Sequence, residues 1–274
     1  MILHITGYLL MLLMGGTLGM IGAGGSILTV PILVYLLQVP AVTATGYSLP
    51  IVGIVATIGA LHYRHRGQMD LHAAFTFALP ALIMVFATRW WLLPALPASI
   101  VVGGFLISKD TLILALLAAL MLASARFMLN PAACENGPVA PRLRGTQRLM
   151  LLVTASALIG MLTGLVGAGG GFLIVPALLC LFGLTMHTAI GTSLLVIAVN
   201  ALTGFAGDLG AGFAIDWPLL GGLLALTLAG MGLGTRLNRR CDARQLRRGF
   251  GWLTLAVAAA IIAREIIHIK LGNS

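Results

Sequence analysis

Eight stretches of this chain are apolar over lengths that match the thickness of a bilayer. They run 2–21, 41–61, 71–88, 111–129, 149–166, 189–206, 218–234 and 249–263. Crossing the hydrocarbon takes roughly 20 residues as helix, and a helix satisfies all of its own backbone groups there. None of the stretches alternates apolar and polar residues as a membrane barrel strand does. Only 8% of the residues are charged against 59% hydrophobic, too few charges to clothe a water-facing surface. The expected fold is therefore all-α: a polytopic integral membrane protein of about eight transmembrane helices. The first apolar run lacks the basic start of a signal peptide, so it is read as a retained helix.

The net charge of +9 does not point to nucleic acid. The arginines fall in short clusters between apolar runs, where they meet headgroups and set orientation. Arg64, Arg66, Arg142, Arg144 and Arg148 oppose Arg236, Arg239, Arg240, Arg244, Arg247 and Arg248. The second group is denser, which leans the termini towards the outside. Cys134, Cys180 and Cys241 are widely spaced and form no CxxC pair, so neither a disulfide framework nor a metal site is expected.

An internal repeat organises the chain. Gly19–Ser26 aligns with Gly164–Gly171, Val30-Pro31 with Val175-Pro176, and Thr43–Leu49 with Thr188–Leu194. All share an offset of about 145 residues, with roughly 16 of 35 ungapped positions identical. Gly67–Asp70 then matches Gly212–Asp216 with one insertion, and Ala87-Thr88-Arg89 matches Gly234-Thr235-Arg236. The expected organisation is a membrane repeat at 1–129, a hydrophilic linker at 130–148 and a second membrane repeat at 149–274. Trp90–Ile107 has no counterpart in the second half, so it is read as non-spanning.

Each half carries a glycine cluster, Gly22-Ala23-Gly24-Gly25 and Gly167-Ala168-Gly169-Gly170-Gly171, at the end of an apolar run. About a dozen apolar residues follow, too few to span. Runs of glycine favour an unwound bend, and the prolines Pro31 and Pro176 are placed near the first turn of the next segment. The pattern reads as helix, break and half-helix, twice. Interrupted segments at matching places in two halves mark transporter sites, and freed N–H groups at a half-helix start attract anions. Alternatively the glycines only let helices pack closely.

The substrate-binding candidates are Gly22, Gly24, Gly25, Ser26, Ser48, Gly167, Gly169, Gly170, Gly171, Thr192, Ser193 and Asn200. Thr45, Ser48, Thr192 and Ser193 lie just inside helix starts, as donors to an oxyanion or as caps and interhelical links. Asn200 shares a face with Thr192 and Ser193 and needs a partner in lipid. Asp208 and His62 are candidates for proton coupling. Asp70 and Asp216 precede helices and read as N-caps. Arg89 and Arg236 are read as snorkelling from helix ends to the interface, so the anion is expected on neutral donors.

Gly-x-Gly-Gly-Gly, Val-Pro and Ala-x-Gly-Thr-Ser-Leu, carried by Gly167, Gly169, Gly170, Gly171, Val175, Pro176, Ala189, Gly191, Thr192, Ser193 and Leu194, resemble the sulfite exporter TauE/SafE family of permeases. The first half departs at Ser26 and Tyr47. The resemblance implies a multi-pass protein of the bacterial plasma (inner) membrane that moves sulfite or organosulfur anions.

No Walker motif or His-Glu-x-x-His motif is present, and His187 is badly placed to activate Ser193. The reading is thus a secondary transporter for a small anion, not an enzyme, with no cofactor and no metal. Its partners are the anion and the lipid bilayer, with self-association left open. The alternative is a passive anion channel or a membrane subunit of a larger complex.

Overall fold

The computed structural model describes residues 2–21, 24–97, 99–102, 105–130, 146–167, 170–210, 215–238 and 242–272. The helices are α1 (Ile2–Ile21), α2 (Gly24–Tyr35), α3 (Ala41–His65), α4 (Leu71–Ala87), α5 (Leu93–Ala95), α6 (Lys109–Leu129), α7 (Thr146–Val166), α8 (Gly171–Phe182), α9 (Met186–Gly210), α10 (Trp217–Asn238) and α11 (Ala243–Gly272). A π-helical turn at Thr88–Leu92 joins α4 to α5, so one helical rod runs from Leu71 to Ala95. A small antiparallel hairpin of β1 (Ser99–Val102) and β2 (Phe105–Ser108) follows. The expected non-spanning segment at Trp90–Ile107 is thus a helix extension and then a hairpin.

Among the described residues six helices are long and apolar enough to cross a bilayer: Ala41–His65, Leu71–Ala95, Lys109–Leu129, Leu149–Val166, Met186–Gly210 and Trp217–Leu237. Their outer faces carry large apolar side chains such as Phe75, Leu79, Ile83, Leu158 and Leu233, all more than half exposed. In water such a surface would aggregate; in lipid it costs nothing. Trp90, Trp91 and Trp217 are exposed where α4 ends and α10 begins, the amphipathic rings expected at a membrane interface.

Helix starts follow local chemistry. Asp70 accepts from the Ala73 N–H at 2.9 Å, and Asp216 from the Leu219 N–H at 3.1 Å; both are the caps read from the sequence. Ser108 accepts from the Thr111 N–H and starts α6. Asp110 accepts from the Val42 N–H at 3.0 Å, tying the start of α6 to that of α3. Pro31 and Pro176 lie inside α2 and α8 rather than in their first turns. Bundle neighbours and local adjustment make such prolines tolerable in membrane helices.

The two long helices α3 and α9 form the buried centre and run antiparallel. Gly53 packs on Leu202, Gly59 on Leu194 and Gly204 on Leu49, so one index falls as the other rises. Around them α1 lies along α10, and α7 along α4. Both contacts are built on small residues. A Cβ at Gly15 would sit 2.0 Å from the Thr227 carbonyl oxygen, and one at Gly160 would sit 2.4 Å from that of Ala81. Gly19 meets Met231 and Thr235, and Gly164 meets Thr88 and Val85. These small-xxx-small faces bring backbones into contact, which drives association where lipid removes the hydrophobic force. A Gly160→Ala variant is therefore expected to lose about 1–3 kcal/mol through overpacking. Gly221 has open space at its Cβ position, so Gly221→Ala is expected to gain about 0.5–1 kcal/mol. Thermal unfolding in detergent checks both.

Cys180 is disulfide-bonded, which corrects the expectation of unpaired cysteines. Wide spacing along the chain does not prevent pairing once helices fold back on each other. Cys134 and Cys241 lie outside the described residues, as does most of the hydrophilic linker.

Candidate functional site

The chain breaks between α7 and α8. Helix α7 ends at Val166, and the Gly167 N–H still donates to the Thr163 carbonyl at 2.8 Å. Gly167 then takes φ +67° and Gly170 takes φ +69°, and α8 starts at Gly171. This left-handed conformation is one that L side chains adopt at a cost and glycine adopts freely. The first N–H groups of α8 have no acceptor within their own helix. Gly169 lies outside the described residues, and Gly171 is the first residue of α8.

In the first half, helix covers more of the glycine cluster than its sequence implied. Helix α1 ends at Ile21, and α2 already includes Gly24, Gly25 and Ser26. Only Gly22 and Ala23 separate them, and these two lie outside the described residues. Ser26 is fully buried in the first turn of α2. The short helices α2 and α8 touch each other.

Four groups converge on the α7–α8 bend. From α3, Ser48 donates to the Gly167 carbonyl and to the Thr45 carbonyl, the latter at 3.0 Å. From α7, Thr163 stands against Gly170: a Cβ there would lie 2.1 Å from Thr163 Oγ1. From the π turn, Arg89 packs against Gly167, whose Cβ position lies 2.2 Å from Arg89 Nη2 and 2.3 Å from Thr45 Cβ. From α9, Asp208 accepts from Arg89 Nη1 at 3.1 Å, and Thr45 Oγ1 accepts from the same nitrogen at 3.2 Å. Arg89 is 1% exposed and Asp208 7%.

Arg89 was read from the sequence as snorkelling to an interface. That reading is wrong. The π turn widens the helix at Thr88–Leu92 and both Thr88 and Arg89 are buried. Such turns recur at functional positions. Trp90 and Trp91, next in sequence, face outward instead. The position of Arg89 at the end of an apolar run pointed to the interface; the signal against it was Asp208, an acid in a helix of the other half.

Arg236, the sequence equivalent of Arg89, is exposed. It borders a cavity of about 450 Å³ with His62, Arg66, Ala229, Gly232, Leu233 and Thr235. His62 is therefore at a basic groove between α3 and α10, well removed from Asp208, which pairs with Arg89 beside Thr45 at the start of α3. The two proton-coupling candidates do not come together.

The remaining candidates sit in the central helices. Thr192 Oγ1 accepts from the Asp70 N–H at 3.0 Å, and Tyr47 Oη accepts from the Asp216 N–H at 2.7 Å. Each ties the start of α4 or α10 to the opposite half. Ser193 donates to the Ile190 carbonyl at 2.8 Å within its own helix. Asn200 is fully buried near the middle of the α3–α9 pair. Both of its amide atoms lack a partner among the described residues, as do Thr29 Oγ1, Thr163 Oγ1 and Arg89 Nε and Nη2. An unpaired buried polar group costs about 1–3 kcal/mol, more for charged ones. Such groups are few in native interiors, and each calls for a physical explanation.

A family model described as "Sulfite exporter TauE/SafE" matches residues 8–261. A "Probable membrane transporter protein" of Xylella fastidiosa strain 9a5c is 33% identical over 262 residues, covering 92% of each chain. The "Probable membrane transporter protein YdhB" of Bacillus subtilis strain 168 is 28% identical over 256 residues, covering 93% of this chain and 98% of its own. No solved structure matches.

Proposed function

This chain belongs to the sulfite exporter TauE/SafE family, and on that premise we propose that it is a secondary transporter of a small oxygen-rich anion, of the sulfite or organosulfonate kind, in the inner membrane of a bacterium. It is a membrane transporter by kinship with its relatives. The single observation that carries the anion is the α7–α8 bend, where a half-helix start, buried hydroxyls and a buried guanidinium meet in one place. Helix N-termini and unspent N–H donors favour negative charge.

The mechanism rests on a two-repeat reading with four main helices and one short helix in each half. Reciprocal contacts support it. Gly15 and Gly160 mark α1–α10 and α7–α4 contacts at equivalent positions, and Tyr47 and Thr192 bind the backbone before α10 and α4 in the same way. The antiparallel α3–α9 pair is what inverted halves produce, and such halves exchange roles as a site opens to either side. Asp208 is proposed as the coupling acid at the buried bend, and His62 as a titrating group of the basic groove.

The test is flux of radiolabelled sulfite, sulfoacetate and sulfate into proteoliposomes, with and without an imposed pH gradient. Saturable uptake that responds to the gradient is the expected result. Unsaturable uptake blind to the gradient would mean a channel, and no uptake of any of the three would refute the anion assignment. Asn200→Leu is expected to lower flux several-fold while the protein keeps its unfolding temperature, since leucine suits an apolar interior and removes two unpaired polar atoms. Unchanged flux would place the path away from the middle of α9.

A further inference from the structure

We propose that Arg89 is the ligand that holds the anion, and that it does so with the Nε–Nη2 edge of its guanidinium at the Gly167–Gly170 bend. The inference rests on the anion reading above and names the group that it left unassigned.

A guanidinium has five N–H donors arranged in flat forks. Here one corner is occupied: Nη1 donates to the Asp208 carboxylate and to Thr45 Oγ1. The adjoining Nε and Nη2 have no partner among the described residues, although Arg89 is 1% exposed. Those two nitrogens share one edge, and their parallel N–H bonds match two oxygens of a planar or tetrahedral oxyanion. The edge lies against the bend: Nη2 is the nearest atom to the Cβ position of Gly167. Thr163 Oγ1, also buried and unpartnered, stands against Gly170 on the same bend. Arg89 Nε and Nη2 and the Thr163 hydroxyl thus form a donor set with no acceptor among the described residues, beside the start of α8.

Asp208 and Thr45 are positioning residues in this arrangement. They hold Nη1 and so fix the plane of the guanidinium. Asp208 also keeps the empty site near neutral, which a buried arginine in a membrane requires. Gly167 and Gly170, at φ +67° and +69°, leave no side chain between the backbone and the Arg89 edge and the Thr163 hydroxyl. The equivalent Arg236 in the other half is exposed at the basic groove, so one arginine is locked in while its counterpart faces outward.

The experiment measures thermal stabilisation of the purified protein in detergent by sulfite, sulfoacetate and sulfate, with chloride as control, alongside proteoliposome flux. Wild-type protein is expected to be stabilised by at least one of the three and to transport it. Arg89→Gln is expected to weaken that half-saturating concentration at least tenfold, and Arg89→Lys, which offers a point charge without a fork, to fall between. Asp208→Asn is expected to bind the anion several-fold more tightly, because the arginine then lacks a counter-charge. A merely structural arginine would not produce that opposite sign. Should Arg89→Gln fail to fold, the double variant Arg89→Gln with Asp208→Asn leaves no lone buried charge and serves instead. Wild-type affinity in either Gln variant overturns the assignment of Arg89 while leaving the anion reading standing. A wild-type protein neither stabilised by nor transporting any of the three overturns both.

Discussion

Gly167→Ala is expected to abolish transport, and Gly170→Val to do the same, with both proteins still inserted in the membrane. Two independent costs fall on the same residue. The φ of +67° at Gly167 and +69° at Gly170 costs an L residue about 1–2 kcal/mol. The added atom then collides: at Gly167 it would lie 2.2 Å from Arg89 Nη2 and 2.8 Å from Thr45 Cα, and at Gly170 2.1 Å from Thr163 Oγ1. Relieving such contacts costs about 1–3 kcal/mol more. The contacts that yield first are the arginine edge and the threonine hydroxyl, so the strain is discharged into the groups proposed to hold the anion. Flux in proteoliposomes should fall more than tenfold, while membrane yield and helical circular dichroism stay near wild type. The control is Gly222→Ala, a glycine in α10 with open space at its Cβ position, which should transport normally. Wild-type flux in both bend variants would mean that these glycines serve packing alone.

Helix positions were legible in the sequence because lipid leaves the backbone no alternative. Apolar length alone located α3, α4, α6, α7, α9 and α10 to within a few residues. The α7–α8 break was legible for a related reason: a glycine run is a poor helix and a good bend. The first glycine cluster was less legible, because Gly24 and Gly25 lie within α2 even though glycine disfavours helix. Tertiary packing overrides propensity of that size, about 1 kcal/mol per glycine. The role of Thr192 was half legible. Its place at a helix start was readable, but its partner is the backbone of Asp70, in the other half of the chain.

Arg89 shows where pattern reading stops. A charged residue at the end of an apolar run reaches water by snorkelling in nearly any isolated helix. What reverses the outcome is a π turn and an acid 119 residues away in sequence, neither of which leaves a periodic signal. The repeat itself misled, since it paired Arg89 with Arg236, and only the latter is exposed. Tyr63 occupies the position that corresponds to Asp208 in the other half, and it donates to the Gly19 carbonyl rather than to an arginine. Positions that align in sequence between the two halves therefore carry different chemistry.

Asp208→Leu is expected to be the most destabilising single change in the central helices. The substitution leaves the Arg89 guanidinium buried at 1% exposure with Thr45 Oγ1 as its remaining partner. Removing one member of a buried ion pair costs about 3–5 kcal/mol, because the charge left behind has neither water nor a counter-ion. The interior of a membrane protein makes rehydration harder still. The pair itself need not be stabilising, since taking two charges out of water costs about as much as their attraction returns. The sharper expectation is accordingly in the combination. Arg89→Met with Asp208→Leu should recover most of the unfolding temperature lost by Asp208→Leu, while transport stays absent. Thermal unfolding in detergent and flux in proteoliposomes read the two effects separately. If the double variant is as unstable as the single one, the pair is a structural clamp on the π turn and α9. If it is stable but inactive, evolution has kept a charge pair in the apolar interior for binding, since the fold does not need it.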